Sequence, residues 1–284
     1  MSALSASLHP STPSLRIDVW GDVQAIRRSS PLVLNITNFV VMNLNANALL
    51  AIGASPVMAH ALEELDEMIG LAQAVVINIG TLSREWVDAM ERAVVVARER
   101  RIPVVIDPVG SGSTRYRTET ARRLLSLASS PILRANASEV RSLAGAIGRT
   151  KGVDSMYESV DAIAAGEWLS KEYGCTVSIS GSNDFIVNGT ARIGIHNGSD
   201  LMPCVTGLGC TASALTGAFF AVNPSPVLAA AHAMAVMGVS GELAAEKSAG
   251  PGTFVPHFLD ALHGLDEGTL VPRLNLTADF QVTA

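Results

Sequence analysis

Aromatic side chains are scarce: Phe, Trp and Tyr make up 5% of the 284 residues, against 48% for apolar residues of all kinds. A core with so few rings has to be filled by Ala, Val, Leu and Ile, the composition of parallel strands buried on both faces. Cysteine is nearly absent as well. Cys175, Cys204 and Cys210 are odd in number and form no CxxC pair, which argues against a disulfide framework and a thiolate zinc site and suits a reducing, cytoplasmic compartment. There is no cluster of Lys or Arg, and the formal charge is −6, so neither nucleic acid nor an anionic membrane is expected as a partner. The first fourteen residues are rich in Ser, Ala and Pro but lack a basic start and an apolar core, and read as a frayed tail rather than a signal peptide. The most apolar stretch, 226–239, contains His232, is too short to span a bilayer alone and reads as a buried helix.

What is present is an alternation. Short apolar runs at Leu32–Ile36, 74–80, 103–107, 131–136 and Thr176–Ser180 read as buried strands. Between them, 46–53, 59–71, 83–101, 118–129 and 157–173 carry apolar residues at helical spacing with charges opposite, as crossover helices do. Segment 185–195 then reads as two strands around Asn188-Gly189, which adds an antiparallel edge. From Cys210 to about Gly264 the pattern is helical, with breaks at Pro224, Pro226, Gly250 and Pro251. No low-complexity linker or internal repeat divides the chain. The reading is one domain over 31–265 with a mostly parallel central sheet, a leading segment over 1–30 and a tail over 266–284.

In such sheets ligands bind beyond the carboxyl ends of the strands, so polar residues there come first: 35–38, 78–81, 107–113, 134–139 and 180–182. Segment 205–213, Val-Thr-Gly-Leu-Gly-Cys-Thr-Ala-Ser, sets two glycines before a helix. Unpaired N–H groups at that helix start could hold a phosphoryl group, or the segment could simply be a tight connection. It also matches Gly-x-Gly-x-x-Ala, but no following strand offers an acidic residue for a ribose, and no GxxxxGK[ST] loop occurs anywhere. Cys210 at a helix N-terminus is expected to have a lowered pKa and to serve as base or nucleophile; the alternative is a small packing residue. Asp107 ends a strand before Pro108, and Glu139 follows Asn136 in a helix first turn. Two carboxylates from neighbouring strand ends suit magnesium, while Glu139 alone could merely complement a helix dipole.

Taken together, Leu-Val-Leu-Asn-Ile-Thr-Asn ending at Asn38, Asn-Ala-Asn-Ala-Leu-Leu-Ala-Ile-Gly-Ala-Ser-Pro-Val-Met ending at Met58, Asn-Ile-Gly-Thr-Leu from Asn78, Asp-Pro-Val-Gly from Asp107, Arg-Ala-Asn-Ala-Ser-Glu from Arg134 and Gly-Leu-Gly-Cys from Gly207 resemble the hydroxyethylthiazole kinases, a branch of the ribokinase-like small-molecule kinases. The resemblance runs from about Pro31 to about Gly241. It implies a three-layer α/β/α ribokinase-like fold, assembly as a homotrimer with thiazole sites between subunits, and magnesium-dependent transfer of the γ-phosphate of ATP to the alcohol of hydroxyethylthiazole in thiamine salvage. Position by position it implies thiazole contacts at Met58, Gly207 and Asn38, ATP contacts at Arg134 and Ser180, magnesium support at Asp107 and Glu139, and a catalytic role for Cys210, where related kinases carry an Asp base. Two departures stand out: Leu208 and Ser180 occupy positions where the family usually has Thr. Rival readings are another ribokinase-like kinase or a nucleotide-dependent dehydratase, a Cys hydrolase that needs no ATP, and a silent nucleotide sensor.

Overall fold

The computed structural model describes residues 18–145 and 155–280. The first fourteen residues, read above as a frayed tail, lie outside that range. Nine strands form one sheet: β1 (Leu32–Ile36), β2 (Ser55–Met58), β3 (Ala74–Asn78), β4 (Val104–Asp107), β5 (Ile132–Asn136), β6 (Thr176–Ser180), β7 (Asp184–Asn188), β8 (Ala191–Ile195) and β9 (Leu276–Phe280). Their spatial order is β2-β1-β3-β4-β5-β6-β7-β8-β9. The first six are parallel and the last three antiparallel, with β7 and β8 joined at Asn188-Gly189 as the turn signal predicts.

Successive side chains of a strand point to opposite faces, so each strand feeds two cores. Val33, Val76 and Val105 pack under α1 (Val19–Ser29), α2 (Met42–Ile52), α8 (Leu208–Val222), α9 (Pro226–Lys247) and α10 (Pro251–Gly264). Leu34, Ile77 and Ile106 pack under α3 (Leu62–Leu71), α4 (Arg84–Arg100), α5 (Arg115–Leu127), α6 (Ala137–Ala144) and α7 (Ser155–Tyr173). The expected three layers are therefore present, and each Val or Ile removed from water stabilises them by about 1.5–3 kcal/mol. Among the described residues one helix, α9, is long and apolar enough to cross a membrane; here those apolar positions are buried, and Ala230, Ala233 and Met237 lie in the core.

Several elements differ from the sequence reading. The helix predicted over 59–71 begins only at Leu62, and the residues before it form strand β2. Pro56 hid that strand, since proline disrupts a central strand; β2 lies at the sheet edge, where proline is tolerated. Helix α2 starts at Met42, four residues before the predicted 46. Among the elements outside the span 31–265 are a helix before it and a strand after it. Helix α1 buries Val19, Val23 and Ile26, and its Asp22 Oδ2 accepts from Asn223 Nδ2 at 2.7 Å and lies 2.6 Å from His232 Nδ1. Strand β9 extends the sheet beyond β8.

Candidate active site

The register of the sheet aligns its polar tips. Asn78 at the end of β3 stands opposite Asp107 at the end of β4, and Asn136 at the end of β5 stands opposite Ser180 at the end of β6. Above these tips lies the start of α8, which packs across β1, β3 and β4. Gly207 is its N-cap, in the left-handed region at φ 91°, and a Cβ there would lie 2.8 Å from Val41 Cγ1. The first backbone bond of the helix runs from Thr211 N to Gly207 O, so the N–H groups of Leu208, Gly209 and Cys210 have no helical acceptor. No side chain caps them from Gly207.

On one side of this turn stands Arg134. Its Nη2 donates to Ser180 Oγ at 2.7 Å, its Nε is buried without a partner, and a Cβ on Gly209 would come within 2.9 Å of Nη1. Arg134, Ser180 and Gly209 line a cavity of about 1020 Å³ whose farther walls are Met202, Met234 and Met237. Asp184 also faces it. Burial raises the Asp184 carboxyl to about 6, against the lowering effects of the Gly181 N–H and Arg134. The Arg134 end offers an anion a guanidinium and open helix N–H groups, while the methionines offer an apolar surface.

On the other side a chain of hydrogen bonds links five side chains. Ser213 Oγ donates to Asp107 Oδ2 at 2.7 Å, and Asn78 Nδ2 donates to the same oxygen at 2.8 Å. Asn38 Nδ2 donates to Asn78 Oδ1 at 2.8 Å and reaches Cys210 Sγ at 3.5 Å. Burial pushes the Asp107 carboxyl up to about 6; Arg134 pulls it down and Glu139 pushes it further up.

The expectation of a lowered Cys210 pKa is overturned. Burial first, then the negative charge of Asp107, raise the thiol to about 11, despite its hydrogen bonds to Asn78 and Asn38. The open helix start cannot offset the loss of water around sulfur, so Cys210 carries its proton at neutral pH.

Each carboxylate oxygen of Glu139 accepts one backbone hydrogen bond. Its Oε2 accepts from Asn136 N at 2.9 Å, Asn136 Oδ1 accepts from Glu139 N in return, and Oε1 accepts from Gly110 N at 2.8 Å. The reciprocal pair is the capping box that Asn136 and Glu139 imply, and the third bond ties the first turn of α6 to the loop after β4. Of the predicted residues, Asn38, Asp107, Arg134, Glu139, Ser180, Gly207 and Cys210 gather at the sheet tips. Met58 ends edge strand β2 at the same edge of the sheet, beside Asn35 in register, and lies outside the cavity wall. Asn78 and Ser213 had a signal, a strand tip and a helix first turn, yet their roles depend on Asp107 lying between them. Asp184 had none, because it opens a hairpin strand rather than ending a parallel one.

The sequence profile of the hydroxyethylthiazole kinase family matches residues 23–268. The hydroxyethylthiazole kinase of Syntrophus aciditrophicus (strain SB) is 56% identical over 262 residues, which cover 92% of this chain and 97% of that one. That of Leptospira biflexa serovar Patoc is 52% identical over 254 residues, 89% of this chain and 95% of the other. Among solved structures, hydroxyethylthiazole kinase protein from Pyrococcus horikoshii OT3 superposes with a TM-score of 0.86 at 40% identity, covering 92% of this chain and 99% of that one. The pyridoxal kinase of Staphylococcus aureus in complex with pyridoxal, at 16% identity and a TM-score of 0.60 over 88% of this chain and 99% of the other, shares the fold.

Proposed function

The chain belongs to the hydroxyethylthiazole kinase family, and on that footing we propose that it transfers the γ-phosphate of ATP to the primary alcohol of 4-methyl-5-(2-hydroxyethyl)thiazole, in the cytoplasm, as part of thiamine salvage. The observation that carries the reading is the turn Gly207–Cys210, with Arg134 and Ser180 on its cavity side and Asn38, Asn78 and Asp107 on its other side. A phosphate held at the turn would meet an alcohol placed beside Cys210.

Phosphoryl transfer needs positioning and charge stabilisation more than covalent help. Arg134 and the N–H groups of α8 face the phosphoryl oxygens. The alcohol oxygen bonds to the γ-phosphorus as the bridging oxygen to the β-phosphorus departs with ADP, and the alcohol proton leaves on a phosphoryl oxygen or to water. Cys210, itself protonated, orients that alcohol rather than deprotonating it. Asn38 holds the thiol in place, and Asn78 and Ser213 hold Asp107.

Among the described residues no group of three His, Cys, Asp or Glu side chains could form a metal cluster. Magnesium asks for less, one or two protein carboxylates with water and phosphate oxygens completing its shell. Asp107, whose two hydrogen bonds both fall on Oδ2, and Glu139 fit that requirement and would hold the ion or its waters. When bound, the ion would supply positive charge across the triphosphate.

A homotrimer with thiazole sites between subunits would suit Met58, at the end of the edge strand β2. The chain exposes Phe39 and Val40 after β1, Leu50 on α2 and Leu62 at the start of α3, apolar surface that a neighbouring subunit would cover. The deciding assay offers ATP, magnesium and a panel of thiazole, pyrimidine and sugar alcohols and follows ADP. Release driven by hydroxyethylthiazole is expected; release driven best by a pyrimidine or sugar, or none, would refute the assignment.

A further inference from the structure

Arg117 breaks a local rule. It lies in the first turn of α5, one residue inside the helix from Tyr116, where the positive end of the helix dipole disfavours a cation. Residues that contradict their local setting are retained where something else depends on them. Its guanidinium finds three main-chain carbonyls: Nη1 donates to Val109 O at 2.6 Å and to Ile79 O at 3.0 Å, and Nη2 donates to Gly80 O at 2.6 Å. Two of these belong to the loop that follows β3, the third to the loop that follows β4.

Those loops carry the polar chain of the active site. Asn78 immediately precedes Ile79, and its Oδ1 accepts from Gly80 N at 3.0 Å as well as from Asn38. Ile79 N donates to Asp107 O at 3.2 Å, which joins the two tips directly. Val109 precedes Gly110, the donor to Glu139 Oε1. A single planar fork thus spans both segments within one bond of Asn78, Asp107 and Glu139. A lysine ammonium, a point charge, cannot reproduce that geometry.

We propose that Arg117 is a positioning residue for phosphoryl transfer: by gripping the carbonyls of Ile79, Gly80 and Val109 together, it sets the spacing of Asn78 and Asp107 and keeps Gly110 on Glu139. The inference rests on the kinase assignment above. It concerns a side chain that is not part of the cavity wall.

The test compares the unaltered chain with Arg117→Lys by steady-state kinetics and by hydrogen exchange read peptide by peptide, with Arg117→Ala assayed with and without added guanidinium ion. In Arg117→Lys, kcat is expected to fall about tenfold to a hundredfold, the scale of a small misplacement of reacting groups. KM for ATP and for the thiazole alcohol should stay within about threefold, because binding contacts are kept. Exchange should quicken in segments 78–81 and 107–113 and nowhere else, and guanidinium should restore part of the turnover lost in Arg117→Ala. Unchanged kcat in Arg117→Lys overturns the inference, whatever the exchange does. So does quickened exchange throughout the sheet, which would make Arg117 a merely structural support. No ADP release by the unaltered chain with any alcohol defeats the kinase assignment and the inference with it; normal turnover in both proteins defeats the inference alone.

Discussion

Cys210 stands between two opposed effects. A helix N-terminus lowers a thiol pKa, while burial beside a carboxylate raises it, and here burial wins, leaving the thiol at about 11. Cys210→Ala should therefore lower kcat by about tenfold, the low end of what an acid–base or orienting group contributes, with KM for ATP unchanged. Cys210→Asp offers a group that ionises far below the thiol and can take the alcohol proton, so its kcat should equal or exceed that of the unaltered chain; a dead Asp variant would count against an alcohol at this position. Asp107 carries a second prediction. Its carboxyl rises from an ordinary 3.8 to about 6 in the fold, so folding takes up a proton between those values. Its contribution to stability is present below about 4 and is lost as pH climbs through about 6. Asp107→Asn removes that penalty, worth roughly 3 kcal/mol at neutral pH. The variant should melt higher than the unaltered chain at pH 7.5, with the difference vanishing near pH 4, and should show no turnover. A lower melting temperature at pH 7.5 would contradict the origin given for the shift. The identities of both residues were legible, since each ends an apolar run or opens a helix. Their protonation was not, because it depends on neighbours brought in from distant segments.

At the scale of elements, the first turn of α8 controls the cavity. Gly209→Ala would press a methyl against Arg134 Nη1 and should raise KM for ATP roughly tenfold, the loss of one charge-assisted hydrogen bond. KM for the alcohol should hardly move; equal rises in both would mean that the whole turn had shifted. Gly207→Ala has no such selectivity, since its left-handed backbone and the nearby Val41 strain any side chain. The parallel strands were visible in sequence because strands buried on both faces need unbroken Val and Ile runs. Edge elements escape that logic: β2 contains Pro56, β9 alternates Leu, Ala and Phe with polar residues, and α1 hides its apolar spacing, Val19, Val23 and Ile26, in a charged segment. The breaks around α9 and α10 were legible because Pro226 and Pro251 each occupy a helix first turn, where the missing N–H costs nothing.

For the whole molecule, the proposed homotrimer predicts that sedimentation will give three times the chain mass. Val40→Glu, which places a charge on a surface with no chemistry of its own, should yield folded single chains with little turnover. Full activity in single chains would refute shared sites. The sheet itself has a consequence for biosynthesis. Asn38, Asn78 and Asp107 leave the ribosome early, but Ser213 and the turn proposed to hold phosphate arrive only with α8, the element that lies across β1, β3 and β4. A half-made chain can therefore arrange its central strands before the proposed anion cradle is put in place, and until then has nowhere to hold a nucleotide's phosphates.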